Sequence, residues 1–152
     1  MIVRDAAEAL YIACEMEKRA IRLYERALMI FSDGPCQEAI REILLDERSH
    51  LEQFSRMGAG TPGFERAQLL SARASGVLFS GGLMEAQRKG AFDSAEKLYA
   101  CAAEEEAEAV RQYGEFAASL SGSAAAAFAA IALEEKRHLN KLSGLALGQQ
   151  KK

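Results

Sequence analysis

Four amphipathic stripes run through this chain, and each is interrupted at its middle by a side chain that apolar packing does not tolerate. The first reads Leu10, Cys14, Glu17, Ile21, Tyr24, Leu28, Phe31, and the second Ile40, Ile43, Glu47, His50, Phe54, Met57. The third reads Tyr99, Ala102, Glu106, Ala109, Tyr113, Phe116, Leu120, and the fourth Phe128, Ile131, Glu135, His138, Leu142, Leu145. Steps of three and four mark one buried face of a helix. Once per stripe, a carboxylate stands where leucine belongs. Burying an unpaired carboxylate costs several kcal/mol or forces it to take up a proton. Four of them at one level call for a shared cation.

The chain has two histidines, and both close the same phrase: Glu47-Arg48-Ser49-His50 and Glu135-Lys136-Arg137-His138. On a helix, i and i+3 share a face, so each Glu/His pair can aim at one spot. An internal repeat relates the two phrases, because ILLDERSHLEQFS at 43–55 lies over IALEEKRHLNKLS at 131–143 without a gap. In the other two helices, EMEKRAIRLY at 15–24 lies over EEEAEAVRQY at 104–113, which pairs Glu17 with Glu106. Upstream, AEALY at 7–11 fits AEKLY at 95–99 in a register that would pair Glu17 with Glu105. The third helix is therefore expected to carry one extra residue, absorbed as a π-bulge. Its ligand stays open among Glu105, Glu106 and Glu108. Around a regular helix, Glu106 lies only about 20° from Tyr113 and Glu105 about 80°.

One glutamate from each of two helices and Glu-x-x-His from the other two is the ligand pattern of dinuclear carboxylate bundles. Four carboxylates offset two divalent ions when both histidines are neutral. Mixed carboxylate and imidazole donors suit iron or manganese. Tyr24 and Tyr113 share the ligand face. They read either as core tyrosines whose hydroxyls need partners or as hydrogen-bond donors that orient a ligand carboxylate.

Composition and punctuation bound the rest. The 152 residues suit a single domain, 1–152, with prolines only at Pro35 and Pro62. Helices are expected at about 5–31, 35–57, 93–120 and 123–145, with a long crossover at 58–92 between helices two and three. Phe64 to Phe79 is expected to form a helix of its own within it. Asp93 with Glu96 reads as a capping box for the third helix, Gly122 as its stop, and Ser123 as the cap of the fourth. The fold expected is all-α, a ferritin-like four-helix bundle with one long crossover. A net charge of −3 with interleaved signs speaks against a nucleic-acid surface, and no apolar run spans a membrane. The charged N-terminus speaks against a signal peptide. Cys14, Cys36 and Cys101, lacking motif spacing, suit a reduced, cytoplasmic chain. Alanine-rich faces on helices three and four suggest a homodimer.

The phrases EMEKRAIRLYERAL, LLDERSHLEQF, YGEFAA and FAAIALEEKRHLNKL together resemble the rubrerythrin branch of the ferritin-like superfamily, over roughly residues 5–147. The resemblance implies a diiron site with Glu17, Glu47, His50, Glu106, Glu135 and His138 as ligands, Glu47 and Glu135 bridging. It implies an oxidoreductase that reduces hydrogen peroxide, with a ferroxidase or iron-binding protein as the alternative. Full-length rubrerythrins carry a C-terminal rubredoxin-like domain, whereas this chain ends at GQQKK. Electrons are therefore expected from a separate, rubredoxin-like donor. Rubrerythrins also use an additional glutamate on helix three, and an ungapped comparison around YGEFAA points to Glu105 and Glu108 rather than Glu106.

Overall fold

Straight-chain and alanine residues dominate this sequence, and these are the residues that lose least on entering a helix. The computed structural model describes residues 5–32, 34–72 and 82–150, and all regular structure among them is helical. In chain order the helices are α1 (Ala6–Ile30), α2 (Gly34–Ala59), α3 (Phe64–Ala72), α4 (Gly82–Arg88), α5 (Ala95–Ser119) and α6 (Gly122–Gln150). The four expected long helices correspond to α1, α2, α5 and α6. Their ends agree closely except the last, where α6 continues past 145 to Gln150. The apolar stripe fades after Leu145, but a solvated helix needs no stripe to continue.

The caps correct two expectations. Asp5 caps α1 by accepting from the Glu8 amide at 2.9 Å. Ser94, not Asp93, caps α5, accepting from the Lys97 amide at 3.1 Å. Asp93 instead pairs with the Lys97 ammonium at 3.7 Å. Ser123 lies inside the first turn of α6 rather than before it. The expected extra residue in the third helix is absent as well. Helices α1 and α5 each hold 25 residues, and α5 is α-helical without interruption. Their caps match in the register that sets Glu17 opposite Glu106. The AEALY and AEKLY likeness is thus a coincidence of small, apolar sequence.

Both reversals between long helices end the same way. The Phe31 amide returns to the Ala27 carbonyl and the Leu120 amide to that of Phe116, and the next helix opens on a glycine. Gly34 and Gly122 have φ of +79° and +66°, which residues with a Cβ rarely adopt. Of the expected 64–79 helix, α3 covers Phe64–Ala72, and 73–79 lies outside the described residues.

Two apolar clusters sit on either side of the Glu/His level. One joins Leu23 and Tyr24 of α1, Ile40 and Ile43 of α2, Tyr99 of α5 and Leu142 of α6. The other joins Leu10 of α1, Phe54 of α2, Tyr113 and Phe116 of α5, and Phe128 and Ile131 of α6. The order in which each helix crosses them makes α1 antiparallel to α2 and α5 antiparallel to α6. Leu23, Ala27, Ile12 and Ala13 are buried although they lie off the first stripe. The reason is that α3 and α4 also pack on α1. Phe64 and Ala67 join the cluster near the N-terminus of α1, and Ala86 joins the one near its C-terminus. No helix among the described residues is long and apolar enough to cross a membrane.

Candidate metal centre

Between the two apolar clusters lie six buried polar residues, Glu17, Glu47, His50, Glu106, Glu135 and His138, each at most 5% exposed. The helix period puts one carboxylate from α1 and one from α5 at the level of the two Glu-x-x-His pairs on α2 and α6. They form two overlapping groups whose donor atoms lie within 4.8 Å of one another: Glu17, Glu47, His50, Glu135, and Glu47, Glu106, Glu135, His138. Glu47 and Glu135 belong to both. These buried glutamate and histidine groups could hold a metal ion.

The inner atoms converge without satisfying each other. His50 Nδ1 is 2.7 Å from Glu135 Oε1 and 3.5 Å from oxygens of Glu17 and Glu47. His138 Nδ1 is 3.2 Å from Glu47 Oε1, 3.7 Å from Glu106 Oε2 and 3.9 Å from Glu135 Oε2. Yet both Nδ1 atoms, Glu17 Oε2, Glu47 Oε1, Glu106 Oε2 and both Glu135 oxygens have no aligned hydrogen-bond partner. Buried polar atoms are nearly always satisfied, each orphan costing about 1–3 kcal/mol. Lone pairs aimed at a common point rather than at donors are the arrangement a cation completes.

Four other polar atoms of these residues, by contrast, are held. Tyr113 donates to Glu17 Oε1 at 3.0 Å, and Tyr24 donates to Glu106 Oε1 at 2.5 Å. His50 Nε2 donates to Glu134 Oε2 at 3.0 Å, and His138 Nε2 to Asp46 Oδ2 at 2.9 Å. A carboxylate only accepts, so when the ring is neutral these bonds keep the proton on Nε2 and turn the Nδ1 lone pair inward. Every one of the four bonds joins the α1–α2 half to the α5–α6 half. Asp46 and Glu134 were not singled out from the sequence. The signal was there: each directly precedes the glutamate of a Glu-x-x-His phrase.

The remaining candidates fall elsewhere. Glu105 accepts from Arg19 at 3.2 Å, and Glu108, exposed, pairs with Arg111. Neither belongs to the two groups of converging donor atoms, in which α5 is represented by Glu106. The three cysteines are free.

Electrostatics reflect the crowding. Burial, then the neighbouring Glu47, raises the Glu17 carboxyl well above the usual range. Burial, then Glu135, raises Glu106 to about 8. For both histidines burial favours the neutral ring. The carboxylates facing each Nδ1, led by Glu135 for His50 and Glu106 for His138, outweigh it and hold the pKa above the ordinary value. Burial, then the adjacent carboxylate, pushes the Tyr24 and Tyr113 phenols well up, so they stay donors.

A cavity of about 260 Å³ lies against the site between α1 and α5. Its inner wall includes Glu17, Glu47, Glu106 and Glu135, and the small side chains of Ala20 and Ala109 leave the space open. At about 30 Å³ per water in the liquid, it has room for several small molecules. Comparison with family models, curated proteins and solved structures returns no match for this chain.

Proposed function

We propose that this protein is a diiron-carboxylate oxidoreductase that reduces hydrogen peroxide to water with electrons from a separate donor protein. The observation that carries the reading is the pair of buried donor groups sharing Glu47 and Glu135. Glu17 and His50 would complete one ion's set, and Glu106 and His138 the other's. A pair of bound ferrous ions supplies two electrons, the number that peroxide needs, with two protons, to become two waters.

The protein's own residues do the rest. Tyr113 and Tyr24 each fix one oxygen, the Oε1 of Glu17 and of Glu106, leaving the unpartnered Oε2 of each for a metal. Asp46 and Glu134 hold both imidazoles in the metal-binding tautomer. The apolar clusters above and below exclude bulk water, and the cavity admits a small oxidant. The topology we propose is a ferritin-like bundle of α1, α2, α5 and α6, with the α3–α4 region as its crossover. α3 packs near one end of α1 and α4 near the other, which supports that reading.

The test has two stages. Anaerobically purified protein should contain about two irons per chain, and one or none would remove the dinuclear premise. The ferrous protein should then be oxidised faster by peroxide than by dioxygen in stopped flow. Faster oxidation by dioxygen with release of ferric iron would make the protein a ferroxidase.

A further inference from the structure

The buried carboxylates lie at the inner end of a cavity whose outer end is charged. Glu104, Glu108 and Lys89 line it as exposed residues, while Arg19 and Glu105 are partly buried. Arg19 of α1 donates from Nη2 to Glu105 Oε1 of α5 at 3.2 Å, tying the two helices together across the cavity. Glu105 directly precedes Glu106, which is 2% exposed, and both Glu106 and Glu17 line the cavity's inner wall with an Oε2 that has no partner. The cavity therefore joins a carboxylate near the surface, engaged by a guanidinium, to buried carboxylates that no arginine or lysine among the described residues reaches.

We infer that this cavity is the route by which metal ions reach the center, with Glu105 as a transient cation-binding residue and Arg19 as the competing cation that closes it. The inference rests on the metal-binding reading above. A guanidinium and a divalent ion need the same carboxylate lone pairs, so an arriving ion displaces Arg19 toward solvent. It then passes to the orphaned oxygens of Glu106 and Glu17, which no guanidinium or ammonium among the described residues engages. With the side chains of Arg19 and Glu105 24% and 36% exposed, the pair is only partly screened by salt and can be exchanged.

The test follows Co2+ uptake by the metal-free protein in stopped flow, through the cobalt absorption bands. Arg19→Gln should load roughly threefold or more faster than wild type, and Glu105→Gln slower by a similar factor. Both should reach wild-type final occupancy. Glu52→Gln, an exposed α2 change outside the cavity, controls for net charge and should load at the wild-type rate. Unchanged rates in both cavity variants, or shifts in the same direction, would overturn the route while leaving the metal site standing. A lower final occupancy in Glu105→Gln would make Glu105 a permanent ligand and overturn its transient role. Failure of the wild-type chain to take up Co2+ at all would overturn the center and the route together.

Discussion

Hydrogen bonds at the outer edge of the site divide it into two separately adjustable halves. Tyr113 and Glu134 serve the group containing Glu17 and His50, whereas Tyr24 and Asp46 serve the group containing Glu106 and His138. Tyr113→Phe or Glu134→Gln should therefore weaken one metal equivalent by roughly 10- to 100-fold, and Tyr24→Phe or Asp46→Asn the other. Competitive metal titration would show this as one displaced step of two, and equal weakening of both steps would contradict it. Protons compete for the same atoms. An unfolded glutamate loses its proton near 4.5, while Glu106 in the metal-free fold keeps it up to about 8. Between those values Glu106 holds a proton in the native chain and not in the unfolded one, so its contribution to stability is full below 4.5 and is lost as pH rises through about 8. The raised histidines act in the same direction above 6.5. The Tm in chelator should fall over this interval while metal affinity rises, because binding expels those protons. A chelated protein whose Tm climbs with pH would refute the account. At this scale the sequence was informative: Glu47, His50, Glu135 and His138 were legible because each breaks an apolar stripe. Glu106 could be preferred over Glu105 by its angle to Tyr113. Asp46 and Glu134 were harder to see, since they occupy ordinary solvent positions and act only across a helix interface.

At the α2–α3 corner the two helices meet closely around a glycine. A Cβ added at Gly58 would overlap the ring of Phe64, which is partly buried against the cluster around Phe54 and Tyr113. Gly58→Ala should lower stability by about 1–3 kcal/mol, the usual range for overpacking. Gly114, exposed inside α5, has nothing within 4 Å of its would-be Cβ. Gly114→Ala should raise stability by about 0.5–1 kcal/mol through helix propensity. Opposite shifts in denaturation midpoint would bear this out, and matching signs would count against the corner's geometry. Helix existence and phase were readable because periodicity is a local property. The course of α3 and α4 along α1 was not, because their burial depends on partners far away in sequence. The short-range likeness of AEALY to AEKLY misled for a related reason: small apolar residues repeat in many registers, whereas the Asp5 and Ser94 caps fix one.

For the molecule as a whole, the metal-free center is a layer of unsatisfied charge between two apolar clusters. Metal binding should raise the Tm, by about 2.7 kcal/mol of stability at a hundredfold excess over Kd. A chelator that leaves the Tm unchanged would show that no native ion occupies the site. His50→Ala and His138→Ala should each reduce metal content, measured per chain by elemental analysis. The two-helix hairpins were legible from their glycine-bearing reversals, Gly34 and Gly122. That neither hairpin holds its own ligands was not. Tyr24 steadies Glu106, Tyr113 steadies Glu17, Asp46 steadies His138 and Glu134 steadies His50. This is the logic of a two-fold dimer written on one chain. Each half is the mould for the other, so a change of reach at Asp46 must be answered at His138, a whole hairpin away. The two halves cannot drift apart independently while the cage between them is kept.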